Sequence, residues 1–193
     1  MQKLKEELTK AGIAYVSECL GGNIEGIRIK HMYIVEHGSG KGYYYGSLEE
    51  PSNACYTLQE VLRLAKMEQK LRELFNLDWI RDFATRNIES TEWIEEDDEE
   101  TRKILVIDTL VHGAHGAHIP GMVLELFGEA DDYDLEDPYN MEKNDTIYDA
   151  LACLEDEVNE CLNRLLPSKG TYYIGYLEAD GSYCLFYEEE EEE

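Results

Sequence analysis

The chain has 193 residues, 43% of them hydrophobic, and a formal net charge of −26. That much apolar material can fill the core of one domain or two small ones, which excludes a disordered acidic protein despite the charge. The charge is also confined: residues 1–75 carry ten basic and ten acidic side chains, whereas residues 76–193 carry seven basic and 33 acidic ones, so phosphate repulsion excludes direct nucleic-acid binding by the second part.

Two further bounds follow from composition. The N-terminal stretch Met1-Gln-Lys-Leu-Lys-Glu-Glu-Leu8 is charged and helix-like, and no run approaches the roughly 18 apolar residues of a membrane span, so a soluble, unexported protein is expected. The five cysteines, at 19, 55, 153, 161 and 184, are odd in number and lack CxxC spacing. In a reducing compartment they read as small buried hydrophobes.

In chain order, residues 2–11 read as a short helix that stops at Gly12, and residues 13–20 as a strand. Gly21-Gly22-Asn23 is a hairpin turn, because Gly and Asn tolerate positive φ. Residues 24–35 alternate as one long strand or two short ones. Gly38-Ser-Gly-Lys-Gly42 turns the chain into a Tyr-rich strand, residues 43–48, which Pro51-Ser-Asn53 ends. The 38–42 segment is not a phosphate loop. The spacing before Lys41 is wrong, Gly42 stands where Ser or Thr would hold magnesium, and a strand follows where a helix is needed. Thr57 with Glu60 three residues later is a capping box. Leu58, Val61, Leu62, Ala65, Leu71, Leu74 and Phe75 then recur at helical spacing.

Asp78 can cap a second helix through Trp79, Ile80 and Phe83, and residues 87–91 are a break. Residues 92–111 read as one long helix, or as an acidic loop and then a helix from about Asp98, with Ile104, Leu105, Ile107, Leu110 and Val111 on its apolar side. The run Glu95-Glu96-Asp97-Asp98-Glu99-Glu100 would suit the positive end of that helix's dipole. His112, His115 and His118 would share one side of a helix, and imidazole is the commonest metal ligand. With Asp108 or Glu125 nearby, they are the candidate ligands of a metal-dependent hydrolase. Gly113 and Gly116 argue against a helix there, and no HExxH pattern is present. The plainer reading is a turn in which one or two imidazoles satisfy backbone carbonyls, and no metal or other cofactor is assigned. Pro120 opens a short helix that stops at Gly128.

The second acidic block is Glu129-Ala-Asp131-Asp132-Tyr-Asp134-Leu-Glu136-Asp137. Asp132, Asp134 and Glu136 fit the first positions of a calcium loop, but Asp137 stands where Gly is needed and Lys143 where a bidentate Glu is needed, so an EF-hand is rejected. Asn144 or Asp145 caps the clearest helix, with a stripe of Ile147, Leu151, Leu154, Val158, Cys161, Leu162 and Leu165. Glu155, Asp156, Glu157 and Glu160 lie largely off that stripe. Residues 172–177 and 183–187 flank an Asp180-Gly181 hairpin turn. Residues 43–49 echo residues 172–178, each followed by a Cys at the same offset, but one matching pair does not make a duplicated domain.

The expected class is α+β. Residues 1–75 form a neutral domain, an N-terminal antiparallel sheet with a covering helix. Residues 76–187 form an acidic, mainly helical domain ending in a β-hairpin. Residues 188–193 form a mobile poly-Glu tail.

On a helix, consecutive acidic residues place one charge per about 1.5 Å of axis, and duplex DNA places one per about 1.7 Å. A folded surface carrying both acidic blocks and the acidic side of the 147–165 helix would enter a basic cleft for the reason DNA does, by counterion release. In size, acidity, Tyr content and these two blocks, residues 76–193 resemble the acidic DNA-mimic proteins of phages and mobile elements, including anti-CRISPR and anti-restriction proteins. The resemblance implies a non-enzymatic inhibitor in the cytoplasm of a bacterial host. Its partner would be the basic nucleic-acid-binding cleft of a defence nuclease, a CRISPR effector such as Cas9. The contact set would be Glu95, Glu96, Asp97, Asp98, Glu99, Glu100, Asp131, Asp132, Asp134, Glu136 and Asp137. The neutral first part would then be a second binding module or a homodimerisation module. The other readings are the hydrolase above and an acidic adaptor whose charge only keeps it soluble.

Overall fold

The computed structural model describes residues 1–22, 24–47, 54–86, 94–96, 102–137, 139–166 and 170–189. They form two compact units, Met1–Leu77 and Asp78–Glu193. Each contains a four-stranded antiparallel sheet with helices, so the fold is α+β. Among the described residues, no helix is long and apolar enough to cross a membrane.

The first unit begins with α1 (Gln2–Lys10). A meander follows: β1 (Val16–Cys19), β2 (Glu25–Ile29), β3 (Met32–Glu36) and β4 (Tyr43–Ser47), adjacent in that order. Residues 24–35 are thus two short strands. They reverse at Lys30-His31, where Lys30 takes φ 54°. Gly38–Gly42 is a hairpin loop closed by the His37 N–H on the Gly42 carbonyl at 2.8 Å. The helix α2 (Leu58–Leu74) starts with the expected capping box. The Glu60 N–H donates to the Thr57 hydroxyl at 3.3 Å, and the Thr57 N–H donates to the Glu60 carboxylate at 2.6 Å. Ile27, Ile34 and Tyr45 are register neighbours across three strands and are wholly buried, as are Leu4 and Leu8 of α1 and Val61, Ala65 and Leu71 of α2. One charged side chain goes into this core. Glu68 of α2 accepts from the Tyr45 hydroxyl at 2.7 Å and from Arg72 Nε at 3.1 Å. Burial nevertheless holds its carboxyl above the usual range.

The second unit comprises α3 (Leu77–Arg86, its first residue closing the first unit), β5 (Ile94–Glu96), β6 (Arg102–Val111), a 3-10 segment (Gly113–His118), α4 (Ile119–Phe127), α5 (Met141–Leu165), β7 (Gly170–Tyr176) and β8 (Tyr183–Glu189). Its sheet runs in the order β5-β6-β8-β7. The helix expected over residues 92–111 is not formed. Residues 102–111 are a ten-residue strand, and Ile94–Glu96 pair with it antiparallel. The reason lies partly in β6 itself and partly in its pairing with β8. Half of its residues are β-branched (Ile104, Val106, Ile107, Thr109, Val111), which favours the pleated surface. Its ladder with β8 shifts register between Val106 and Asp108 and again between Thr109 and Val111. These irregularities break the two-residue alternation, so the apolar positions take on a spacing that imitates a helix.

The apolar stripe of α5 is buried as expected, from Ile147 to Leu165. The helix starts at Met141, a turn before the expected caps. In β8, Tyr183, Cys184, Leu185, Phe186 and Tyr187 are all buried, as befits a central strand covered on both faces. On one face Ile104, Cys184 and Phe186 cluster with Val106, Tyr173 and Leu177. The Asp180-Gly181 hairpin forms as expected, with Gly181 at φ 70° and the Ser182 N–H on the Asp180 carboxylate at 2.8 Å. Glu188 and Glu189, expected in the tail, instead extend β8 and pair with Thr171 and Gly170; residues 190–193 lie outside the described residues. The cysteine expectation holds for Cys161 and Cys184. Cys19, Cys55 and Cys153 are exposed instead, and all five are free thiols.

Candidate functional site

The second acidic block connects α4 to α5. The helix α4 ends at Gly128 in the left-handed conformation, φ 77°. The Glu129 N–H then reaches back to the Leu124 carbonyl at 2.8 Å, the long bond of a Schellman ending. The segment beyond is a series of local turns. The Tyr133 N–H donates to the Ala130 carbonyl at 3.0 Å, the Glu136 N–H to Asp134 Oδ1 at 3.2 Å, and the Asn140 N–H to the Asp137 carbonyl at 3.2 Å. Leu135 pins the segment to α4: a Cβ on Gly121 would meet its Cδ2 at 3.1 Å. With the leucine turned inward, Glu129, Asp131, Asp132, Asp134, Glu136 and Asp137 are all exposed. Glu125, Asp131, Tyr133, Asp134, Leu135 and Glu136 line a surface cavity of about 470 Å³. Asp132 and Asp137 are exposed on the same segment.

The acidic side expected on the 147–165 helix is present, but its exposed members differ in part from the expected Glu155, Asp156, Glu157 and Glu160. Asp145, Asp149, Asp156 and Glu160 of α5 are exposed. At 3.6 residues per turn they fall within about 60° of one another around the axis, over a length of about 22 Å. In sequence the row is a spacing of 4, 7 and 4 residues that the denser acidic run at 155–157 interrupts. Glu155 and Glu157 are only half-exposed. Glu155 accepts the hydroxyl proton of Tyr183, and burial raises its carboxyl above the usual range, with Asp156 adding to the shift. Tyr176 packs edge-on against Tyr183 at 4.9 Å. Burial pushes both phenols far up, with Glu155 contributing to each. Glu155 is therefore spent inside the unit and is not a surface charge.

The first acidic block has a different setting from the one expected. Glu95 and Glu96 are on β5. A strand advances about 3.3 Å per residue and alternates its side chains between two faces, so the helical charge density does not apply. In register they stand opposite Lys103 and Arg102. Asp97, Asp98, Glu99 and Glu100 lie outside the described residues.

The three histidines do not stack on a helix. His112 is extended, with φ −75° and ψ 141°, and precedes the 3-10 segment, which Gly116 breaks at φ 44° and ψ −112°. The side chain of His115 lies outside the described ones. His118 is exposed and stands edge-on to Tyr139 at 6.2 Å. The glycines have structural reasons. A Cβ on Gly113 would come within 1.8 Å of the Asp180 carbonyl, and the Gly113 N–H donates to the Ser182 hydroxyl at 2.9 Å. The segment thus docks on the β7–β8 hairpin. Asp180 is held below its ordinary range, chiefly by the Ser182 N–H, with His112 contributing. His112 and Glu125 do share a cavity of about 370 Å³, lined otherwise by Leu110, Val111, Met122 and Leu126. Asp108 sits at a bulge of β6 and accepts the Thr109 N–H at 2.8 Å. Among the described residues, no group of three or more His, Cys, Asp or Glu is placed to hold a metal ion.

The first unit contrasts with this surface, because it pairs its charges internally. Arg28 bonds Glu18 at 2.6 Å, Lys10 bonds Glu7 at 2.5 Å, and Lys5 pairs with Glu25. The chain matches no family model, no curated protein and no solved structure.

Proposed function

We propose that the protein is a non-enzymatic inhibitor that occupies the basic nucleic-acid-binding cleft of a bacterial defence nuclease, with a CRISPR effector such as Cas9 as the model partner. The observation that carries this reading is the exposure of every carboxylate in the 129–137 segment, on a backbone fixed by turns and by Leu135. Fixed charges matter because a cleft that binds DNA gains most from a partner that does not have to be ordered first. The α5 row is sparser than the phosphates of DNA, which come about every 1.7 Å of axis. By itself it is a partial imitation, and the loop carboxylates supply the local density. The contact set centres on Asp131, Asp132, Asp134, Glu136 and Asp137, with Asp145, Asp149, Asp156 and Glu160 extending it. Glu95 and Glu96 are secondary, since they sit on a three-residue strand with Lys103 and Arg102 as their register partners. Binding is fast, salt-sensitive and exclusive with DNA, and involves neither a membrane nor direct contact with nucleic acid.

The test is a cleavage assay. Purified bacterial nucleases, CRISPR effectors included, are given target DNA with and without the protein. Inhibition is expected for a nuclease with a basic cleft, and the Asp131→Lys/Asp132→Lys/Asp134→Lys variant relieves it. Equal inhibition by wild type and variant, or none across the panel, overturns the reading.

A further inference from the structure

Among the described residues, three of the four sheet edges are dealt with. The start of β4 is bridged to Tyr56 by reciprocal backbone bonds of 2.8 and 2.9 Å. The outer edge of β7 is taken by Asn159 and Asn163 of α5. β5 is only three residues long. The remaining edge, β1, is protected least: it is longer than β5, Val16-Ser17-Glu18-Cys19 contains no Lys, Pro or bulge, and its one charge, Glu18, is paired with Arg28 of β2. Its surroundings are apolar and open: Val16 is 49% exposed, and Leu20 and Ile24 in the adjoining hairpin are 38% and 52% exposed.

The direction of its free backbone groups follows from the ladder. The Leu20 N–H donates to the Ile24 carbonyl at 3.0 Å. In that phase Glu18 and Val16 exchange bonds with Gly26 and Arg28, their register partners, and the N–H and C=O of Ser17 and Cys19 point away from β2. We infer that this edge pairs antiparallel with β1 of a second copy of the chain, about a twofold axis through Ser17, to make a continuous eight-stranded sheet. Chemistry selects this register. With Ser17 opposite Ser17, Cys19 meets Tyr15, and Val16 meets Glu18. Sliding one allowed step one way sets Glu18 against Glu18, a like-charge pair that ladders disfavour. One step the other way sets Cys19 against Ile13, whose N–H is already given to the Leu8 carbonyl at 3.0 Å. Glu18 is already held by Arg28 at 2.6 Å, so it brings no unpaired charge to the seam. A second copy fits better than a charged partner because the first part of the chain has ten basic and ten acidic residues and no net charge. The inference is independent of the nuclease reading, and salt separates the two. Each copy carries a net charge of −26, so copies repel and screening strengthens the dimer, whereas it weakens capture by a basic cleft.

Sedimentation equilibrium on the full chain at low and high salt tests the association. The expected result is a species of twice the 22.3 kDa chain mass, more populated at high salt. Ser17→Pro removes an outward N–H and spares the bonds to β2, so it is expected to yield monomer. A second experiment does not depend on that variant folding. Val16→Cys and Glu18→Cys are placed in separate chains whose Cys19, Cys55 and Cys153 are Ser, and the two are mixed under oxidised glutathione. Residues 16 and 18 then form a non-hydrogen-bonded pair with Cα atoms about 4.5 Å apart, within disulfide reach. The mixed disulfide is expected to exceed either self-pair. Monomer at all salt concentrations, dimer retained by folded Ser17→Pro, or no excess of the mixed disulfide overturns the inference.

Discussion

The side chain of Asn163 closes a two-bond ring with the backbone of Tyr172. Its Nδ2 donates to the Tyr172 carbonyl at 2.7 Å, and its Oδ1 accepts the Tyr172 N–H at 2.8 Å. Asn159, one turn earlier, accepts the Ile174 N–H at 2.8 Å. A helix side chain thereby imitates a neighbouring strand and completes the hydrogen bonding of β7. Asn163→Leu is predicted to strand two backbone groups, at about 1–3 kcal/mol for each. Urea unfolding checks this, and a midpoint equal to wild type would show that water replaces both bonds without loss.

Glu155 predicts a pH dependence of definite sign. Burial holds its folded carboxyl above the ordinary 4.5, so the native state takes up the proton first as pH falls. Its contribution to stability therefore increases as pH drops through the raised value, and is complete below the unfolded value. Glu155→Gln keeps an acceptor for the Tyr183 hydroxyl and removes the titrating charge. The variant is predicted to match or exceed wild type at pH about 7, and to gain less than wild type on going to pH about 5. Unfolding curves at the two pH values read this directly, and equal gains in both proteins would exclude Glu155 as the source.

The Gly-Ala-His repeat is predicted to respond as a turn. Gly113→Ala must displace the hairpin carbonyl of Asp180 and is expected to cost about 1–3 kcal/mol, as overpacking does. Gly116→Ala strains a left-handed residue and costs about 1 kcal/mol. His115→Ala leaves Tm unchanged, and so do added zinc or EDTA. A zinc-dependent rise in Tm that is lost in His115→Ala would restore the metal reading.

The two acidic blocks are predicted to differ. Glu95→Lys/Glu96→Lys sets cations against Lys103 and Arg102 and lowers stability by about 0.2–1 kcal/mol per pair, with a small effect on partner binding. Asp131→Lys/Asp132→Lys/Asp134→Lys leaves the fold intact and weakens partner binding at least about tenfold, equivalent to about 1.4 kcal/mol. Thermal melts and binding curves for both variants decide this, and equal binding losses would return the first block to the contact set.

What the sequence discloses depends on how local the cause is. The capping box at Thr57, the stripe of α5 and the Asp180-Gly181 turn are each set within a few residues, and each is found where its pattern places it. β6 is not so set. Its alternation is broken where its ladder with β8 shifts, and β8 lies some 80 residues away in sequence. The covering of β7 by Asn159 and Asn163 is likewise invisible, because an Asn in a helix carries no mark of the strand it will meet. At the candidate site, exposure of the carboxylates of residues 129–137 follows from composition. The Asp145–Glu160 row is spread over several helical turns, and the withdrawal of Glu155 depends on Tyr183, 28 residues away in sequence.

The central claim is that the fixed carboxylates of the second unit take the place of nucleic acid in a cationic groove. A competition titration tests it most directly: a CRISPR effector nuclease preloaded with fluorescent duplex DNA is titrated with the protein at several salt concentrations, and DNA release is followed by anisotropy. Stoichiometric displacement is predicted, with an apparent Kd that weakens steeply as salt rises. DNA that stays bound at saturating protein, or displacement indifferent to salt, would contradict the account.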